Sequence, residues 1–222
     1  MVPEASDPES ATRSYHHGNL RAALVEAGVE LARTGGPNAV ILRAASRQAG
    51  VSHNAVYRHF ANQEDLLAAV AQRCMSQLSR LMIERMSLVT ARDRVRRARA
   101  RLEAIGRAYI DFARTEPGWF RTAFSSAQSH AADGPSPNPA HAHGTDVEPI
   151  PNPYEILGAG LDELVDVGAL TPQRRDGAEY AAWSAVHGLS CLLLDGPLRE
   201  LPEPEIERAI STVLAVINRG LA

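Results

Sequence analysis

The sequence predicts an all-α protein of about nine helices, in which a three-helix domain of the helix-turn-helix type precedes a larger helical domain. Alanine and leucine are plentiful and β-branched runs are few, which favours helix over strand. Apolar residues recur at helical spacing between successive glycine and proline breaks. Near residue 50, a tight glycine turn joins two very short helical segments, a shape that fits the major groove of DNA.

The composition indicates a folded protein whose charge is unevenly distributed. The chain has 222 residues, of which 45% are apolar, and a formal net charge of −3. It can therefore bury a sizeable core, and it is not a polycation. Residues 11–80 nevertheless hold eight arginines against four acids. A nucleic-acid contact is expected in this basic segment.

The cellular compartment is predicted from the two cysteines and from the absence of long apolar runs. Cys74 and Cys191 fall in apolar helical patterns and are expected to be small core residues, not a disulfide or a metal pair. No stretch reaches the roughly 18 apolar residues of a membrane span, and the acidic residues 1–14 do not resemble a secretion signal. A cytoplasmic protein without membrane contact, cofactor or metal site is expected.

Breaks in composition predict the domain boundaries. Residues 1–14 are expected to be a disordered tail, and residues 15–62 the helix-turn-helix domain. Residues 63–222 form the second domain, and the helix that starts at Gln63 links the two. A proline-rich stretch, residues 128–153, is expected to be a disordered loop within the second domain.

The helix-turn-helix element is predicted from its turn and its core residues. The two short helices are expected on either side of Gly50, the second of them at 53–59 with Ser52 as its N-cap. Val56 and Phe60 lie four residues apart and are expected to face the core.

The polar side chains outside this core are the expected DNA contacts. Tyr57 and His59 bond to phosphates in this interpretation, which fixes the register without reading the sequence. His53 and Asn54 are the expected base readers, while Arg43 reaches either a base edge or a phosphate. The alternatives are that Asn54 is a second capping residue and that His59 packs against the core. Ser52 and Arg58, which neighbour these residues in the sequence, complete the expected DNA contacts.

The second domain offers candidate pocket walls and a candidate dimer surface. The aromatic residues either line a cavity or fill the core, and a histidine among them is either a ligand group or a structural residue. The pocket candidates are Tyr109, Trp119, Phe120, Phe124, Trp183 and His187. The apolar stripes of the last two helices suit a dimer interface and an ordinary core equally. The dimer candidates are Cys191, Leu194, Ile206, Ile210, Val213, Leu214 and Ile217.

Five arginines crowd the start of another helix, between Arg94 and Arg101. They form either a second nucleic-acid contact or a solvated helix face that pairs with nearby acids. We expect the solvated face.

The segment from Asn19 to Ala71 resembles the DNA-binding domain of the TetR/AcrR family of bacterial transcriptional repressors. The residues that carry the resemblance are Arg43, Ala49-Gly50-Val51-Ser52, Tyr57-Arg58-His59-Phe60 and Glu64-Asp65-Leu66-Leu67. Two further segments, Tyr15 to Arg21 and Trp183 with Val186-His187-Gly188-Leu189, look like a branch of the family named for its Trp-His-Gly residues.

The resemblance implies a homodimer that binds a palindromic double-stranded DNA operator and is released by a small apolar or aromatic effector. Two positions depart from the family pattern. Gln63 stands where a lysine is common, and Ile41 stands where Thr or Ser often begins the second helix. The lost lysine removes one phosphate contact, but the amides at the start of the fourth helix remain. Gln63 is therefore kept among the expected DNA contacts.

Two other function classes are open at this point. A helical enzyme has little support, since no paired-carboxylate, Cys-His or Ser-His arrangement stands at a persuasive spacing and no glycine loop suits a phosphate. The main alternative is a helical ligand-binding or scaffold protein with weak DNA binding. Salt-dependent DNA binding distinguishes this alternative from a regulator.

Overall fold

The computed structural model describes residues 20–129 and 150–220, and of residues 126–129 it describes only the helix. Within these ranges the chain forms ten α-helices and one short 3-10 helix, Pro37–Ala39, and no strand. The all-α prediction is confirmed. The helices are α1 Leu20–Gly35, α2 Leu42–Gln48, α3 His53–Val56, α4 Gln63–Ser87, α5 Arg94–Thr115, α6 Pro117–Ser129, α7 Pro153–Asp166, α8 Pro172–Arg175, α9 Ala178–Leu194 and α10 Glu203–Gly220. The tail at 1–14 lies outside the described residues.

The first three helices and the start of α4 share one apolar core. Val56 and Phe60 are buried in it, as the four-residue spacing predicts. Gly50 has a φ of 68°, a left-handed conformation that a side chain disfavours, and the amide of Val51 donates back to the carbonyl of Ser46 at 3.0 Å. This turn directs α3 away from α2.

The recognition segment is shorter as a regular helix than the predicted 53–59. α3 ends at Val56, and the following residues form turns in which the amides of Arg58 and His59 donate three residues back. Ser52 occupies the N-cap position, but its side chain makes no capping hydrogen bond. These hydrogen bonds to the third preceding residue wind the segment more tightly than an α-helix, and Phe60 then lies in the core.

The fourth helix, α4, runs through two cores. Its start is capped by Asn62, whose Oδ1 accepts from the amide of Asp65 at 2.8 Å. Leu66 and Val70 pack in the N-terminal core, whereas Leu78 and Met82 pack in a second core with α5, α6, α9 and α10. Any tilt of α4 therefore involves both cores.

The apolar stripe of α10 packs inside its own chain. Ile206, Ile210 and Leu214 are buried in the second core, and Leu194, Val213 and Ile217 are half-buried against it. Of the two alternatives left open for these stripes, Ile206, Ile210 and Leu214 therefore take the one of ordinary core. The dimer interface stays a prediction. The outer faces of α9 and α10 are left to a partner.

The two cysteines differ in their surroundings. Cys74 is buried in the N-terminal core, and its burial raises the pKa of its thiol to about 12. Cys191 is exposed on α9, which corrects the prediction that both are core residues. The helical pattern locates a position on a helix face but does not show whether another element covers that face.

The structure has one helix more than predicted, because the segment after Thr171 is divided. α8 is a single turn, and the extended Asp176 and the left-handed Gly177, at φ 71°, separate it from α9. The predicted loop is also shorter at its ends, since α6 continues to Ser129 and α7 begins at Pro153. Asn152 and Glu155 form a reciprocal capping box there. Residues 130–149 lie outside the described part.

The start of α6 docks against the end of α1. Trp119 Nε1 donates to the backbone oxygen of Val29 at 2.8 Å, and the Arg33 guanidinium lies 5.1 Å from the Trp119 ring centroid. Arg33 also pairs with Glu116 through two hydrogen bonds, of 2.9 and 2.8 Å. This junction joins the N-terminal helices to the rest of the chain. None of the helices in the described ranges is long and apolar enough to cross a membrane.

Candidate nucleic-acid interface and ligand cleft

A concave surface lies between the starts of α2, α3 and α4. Its lining includes four of the predicted DNA contacts, namely Arg43, His53, Tyr57 and Gln63. The four come from three elements, and the glycine turn and the Asn62 cap bring those elements together. The remaining lining residues are Ile41, Leu42, Ala61 and Asn62.

The predicted contacts outside this concavity are nevertheless exposed on the same element. Ser52, Asn54, Arg58 and His59 all face solvent. Tyr57 is 51% exposed, and its ring meets the His53 ring edge-on, with centroids 5.1 Å apart. The structure therefore brings four of the eight residues together and leaves the other four exposed beside them.

The start of α4 is a second feature of this surface. The amides of Gln63 and Glu64 bond to no group that the structure describes, and they stand at the positive end of a 25-residue helix. Such amides can bind a phosphate, although the carboxylates of Glu64 and Asp65 in the same turn reduce the local positive potential.

Two exposed arginines were missed in the sequence. Arg47 follows Arg43 by four residues and shares its face of α2, a spacing that was visible in the sequence. Arg21 lies with its guanidinium 5.0 Å from the Phe60 ring centroid. That contact joins α1 to the recognition segment and has no sequence signal, because it depends on the tertiary fold.

A narrow apolar cleft lies in the second core, between α5, α9 and α10. The empty space between its walls, including the part open to solvent, is about 480 Å³. The centre of a water molecule can occupy only about 30 Å³ of this volume. Gly106 lines it, and a Cβ there would come within 2.7 Å of Leu214 Cδ2. A ligand of any size must therefore widen this cleft.

Only two of the six predicted pocket residues, Tyr109 and Trp183, line the cleft. Phe120 is buried and Phe124 half-buried beside it, in contact with the Tyr109 and His187 rings. Trp119 faces α1 instead, where its indole has a hydrogen-bond partner. Of the two alternatives left open for these residues, Trp119, Phe120 and Phe124 take the one of core packing. Their part in an effector site stays a prediction. Residues of the cleft that the sequence did not reveal are Met82, Leu102, Glu103, Ile105, Gly106, Pro153, Leu157, Ala182, Val186, Leu214, Ile217 and Asn218.

A chain of hydrogen bonds crosses the core next to the cleft. Trp183 Nε1 donates to the Tyr109 hydroxyl at 3.1 Å, and that hydroxyl lies 2.8 Å from His187 Nδ1. We assign the hydroxyl as the donor to Nδ1, because this direction gives both the indole N–H and the phenol O–H an acceptor. In this assignment His187 carries its proton on Nε2, which lies 3.5 Å from Cys191 Sγ. Burial lowers the pKa of His187 from its ordinary 6.5 and raises the pKa of Tyr109. Both groups are thus held neutral.

The lowered pKa of His187 predicts a loss of stability in mild acid. The unfolded chain takes up a proton near pH 6.5, whereas the folded chain does so only at a lower pH. The contribution to the free energy of unfolding is complete above about pH 6.5 and declines as the pH falls towards the folded pKa. Urea unfolding across this range is expected to show a smaller pH dependence for His187→Gln than for the wild type. The matched control is His53→Gln, an exposed histidine on α3, which is expected to keep the wild-type pH dependence. Equal pH dependence in all three proteins would contradict the prediction.

The arginines at the start of α5 are partly engaged within the chain. Arg99 donates to the backbone oxygen of Asn218 at 2.9 Å, and Arg101 pairs with Glu163 at 3.0 Å. The expectation that the row pairs with nearby acids is met by Arg101.

Two family models match this chain. The model for bacterial regulatory proteins of the tetR family matches residues 24–70, which include the helix-turn-helix. The model described as tetracyclin repressor-like, C-terminal domain matches residues 102–217, half of the chain. The chain belongs to the TetR family. The Trp-His-Gly branch stays a prediction for this TetR-family chain.

Solved structures share the fold of this TetR-family protein. A protein of unknown function from Rhodococcus sp. RHA1 is 24% identical, with a TM-score of 0.64 over 94% of this chain and 98% of its own. A TetR-family transcriptional regulator from Pectobacterium atrosepticum is 17% identical, with a TM-score of 0.60 over 97% of each chain. A TetR variant from Acinetobacter baumannii in complex with minocycline is 17% identical, with a TM-score of 0.57 over 90% and 94%. Comparison with curated proteins gives no significant match.

The family assignment makes this protein a transcriptional regulator with a DNA-binding helix-turn-helix domain. Members of such a family are typically not enzymes. In the described ranges, no group of three or more His, Cys, Asp and Glu side chains is placed to hold a metal ion.

Proposed function

We propose that this regulator is a repressor, which binds a palindromic operator as a homodimer and is released when a small apolar or aromatic molecule enters its C-terminal part. The observation that carries the proposal is the concave surface at α2, α3 and α4. On it, Arg43, His53 and Tyr57 stand exposed, and Arg43 forms no ion pair with any described residue.

The roles proposed at DNA follow from chemistry and position. Tyr57 and His59 bond to phosphates, as do the amides at Gln63, whereas His53 and Asn54 meet base edges. Ser52, Arg58 and Arg47 are exposed outside the lining of the concave surface, and in this proposal they contact the DNA backbone. Arg43 is suited to a guanine edge, since a guanidinium can donate to O6 and N7 together.

The dimer is proposed on the outer faces of α9 and α10. The outer face of α9 carries small or apolar residues that are exposed or half-buried, and α10 exposes Val216, which is 54% accessible. An exposed apolar face of this kind suits a partner helix. The residues on α9 are Ala181, Ser184, Ala185, Gly188, Cys191 and Leu192.

The division of labour is part of the proposal. Residues 15–62 bind DNA, and residues 63–222 bind the effector and the second subunit, with α4 belonging to both cores. The cleft beside Tyr109 and Trp183 is the proposed effector site. We propose a cytoplasmic protein without enzymatic activity, in keeping with a family of DNA-binding regulators.

Selection of bound sequences from a random DNA pool tests the proposal. The expected result is an approximate palindrome whose half-sites are about one helical turn, or roughly 34 Å, apart. A half-site without symmetry would contradict the dimeric mode. Wild-type protein that shows no salt-dependent DNA binding would instead favour a ligand-binding or scaffold role.

A further inference from the structure

The concave surface at α2, α3 and α4 exposes an aliphatic side chain, Ile41, that the proposed DNA contacts do not include. In residues 20–70, the large apolar side chains that are exposed are Ile41 and Tyr57, and Ile41 is 40% exposed. Tyr57 has a hydroxyl group that can bond to a phosphate, whereas the side chain of Ile41 has no polar group. A single exposed apolar residue is common on protein surfaces. Here its position on the proposed DNA surface makes the exposure informative.

The structure of the chain itself does not account for an isoleucine at this position. Ile41 is the N-cap residue of α2, with an extended backbone at φ −118° and ψ 142° and no side-chain capping bond. An aliphatic side chain cannot accept from the helix amides, so it is a poor cap. Val40 and Leu42 on either side are buried in the N-terminal core, but Ile41 is not among the residues of that core. Neither capping nor core packing therefore explains this side chain.

Ile41 lies where a bound duplex would cover it. It lines the concave surface together with Arg43 and Tyr57, and it precedes Arg43 by two residues at the start of α2. A duplex that meets Arg43 in the proposed way therefore also removes Ile41 from water. The β-branched side chain has few rotamers, so it loses little conformational entropy when such a contact forms.

The chemistry of the major groove restricts the partner of an aliphatic side chain. The base edges there present hydrogen-bond donors and acceptors, and the main apolar group among them is the C5-methyl group of thymine. Against a phosphate or a polar base edge, Ile41 would displace water without replacing its hydrogen bonds, which is unfavourable. Against the thymine methyl group, two apolar surfaces leave water together, which is favourable.

We propose that Ile41 is a specificity-determining residue, which recognises a thymine in each operator half-site through contact with its C5-methyl group. The inference rests on the proposed binding of an operator at this surface. The start of α2 then carries two different contacts, a guanidinium for a polar group of the DNA and an aliphatic side chain for a methyl group.

Replacement of thymine by uracil in the selected operator tests the contact. Uracil keeps the hydrogen-bonding groups of thymine and lacks only the methyl group. Gel-shift titration with the full-length protein compares operators in which each symmetry-related pair of thymines is replaced in turn. One such replacement is expected to weaken wild-type binding about fourfold for each half-site, the effect of one buried methyl group.

Variants at position 41 assign the loss to this side chain. Ile41→Ala is expected to bind the thymine and uracil operators almost equally, and Ile41→Val to keep part of the difference. Leu88→Ala is the matched control, because Leu88 is 65% exposed and follows α4 at the end opposite to Gln63. It is expected to keep the wild-type preference for thymine. Circular dichroism checks each variant, and Ile41→Val decides the matter if Ile41→Ala does not fold.

Two results with DNA-binding protein would overturn the inference and leave the proposed function in place. In the first, no uracil replacement weakens wild-type binding. In the second, the loss is the same in Ile41→Ala and Ile41→Val as in the wild type. Weaker binding of every operator by Ile41→Ala, without any effect of uracil, would indicate a contact with the sugar–phosphate backbone instead. Wild-type protein that binds no selected DNA would overturn both the proposed function and this inference.

Discussion

The double variant Arg43→Ala, Tyr57→Phe is expected to bind selected operator DNA about a thousandfold more weakly than the wild type, as each subunit of the dimer loses one guanidinium and one hydroxyl contact. Both side chains are exposed on the concave surface, so the fold is expected to persist. Removing one cation per subunit also lowers the slope of log affinity against log salt by about 2 per dimer. Gel-shift titration at several salt concentrations measures both quantities.

Arg80→Ala provides the matched control for this loss. Arg80 is exposed on α4, about 25 Å along the helix from Gln63. Its removal changes the net charge of the protein by the same amount as the loss of Arg43, and the affinity and salt slope are expected to stay near wild type. Unchanged affinity of the double variant, with an intact circular dichroism spectrum, would show that the DNA surface lies elsewhere.

Arg43→Lys separates the two roles left open for Arg43. A phosphate contact tolerates lysine, because the charge and its released counterion are retained. A bidentate contact to guanine does not, since an ammonium group lacks the planar pair of donors. Repeating the sequence selection with Arg43→Lys is expected to relax the preference at one base pair of each half-site.

The sequence predicted the DNA-binding element well because its determinants are local. Gly50, Val56 and Phe60 lie within about ten residues of one another in the chain, and their spacing alone predicts a turn and a face that packs in the core. The cap at Asn62 is equally local, and its hydrogen bond is present. Such features need no knowledge of what other elements do.

The second domain was predicted less well, because its assignments depend on which element covers a helix face. The stripe at Ile206, Ile210 and Leu214 is correct as a pattern, but the pattern does not say whether it packs on the same chain or on a partner. The cleft shows the same limit. Its lining residues come from five helices, and no spacing in the sequence relates them.

Gly118→Ala is expected to lower the free energy of unfolding by about 1–3 kcal/mol, as overpacking at a close helix contact does. A Cβ at this position would lie 2.2 Å from the backbone oxygen of Ala32 and 2.3 Å from that of Arg33. Backbone atoms cannot rotate away, so α6 must move off α1. Urea unfolding followed by circular dichroism measures the loss.

Gly158→Ala is the matched control, because Gly158 also lies within a helix of the second domain. There an added Cβ would meet only side-chain atoms of Glu179 and Arg175, at 3.5 and 3.7 Å. This change is expected to be neutral or to stabilise by up to about 1 kcal/mol, since alanine favours helix. Similar free energies of unfolding for Gly118→Ala and the wild type would mean that the α1–α6 junction accommodates the added methyl group without loss of stability.

Gly118→Ala is also expected to weaken the binding of operator DNA. α1 contributes Leu24 to the core that holds Val56 and Phe60, so a displaced α1 moves the recognition segment with it. The variant remains folded if the loss is small beside a typical stability of about 5–15 kcal/mol, and its affinity for the operator can then be measured. Weaker binding by the folded variant, with a wild-type salt slope, would indicate altered spacing of the two recognition segments and not a lost phosphate contact. Unchanged affinity for DNA would mean that the α1–α6 junction stabilises the chain but does not affect the position of the recognition segment.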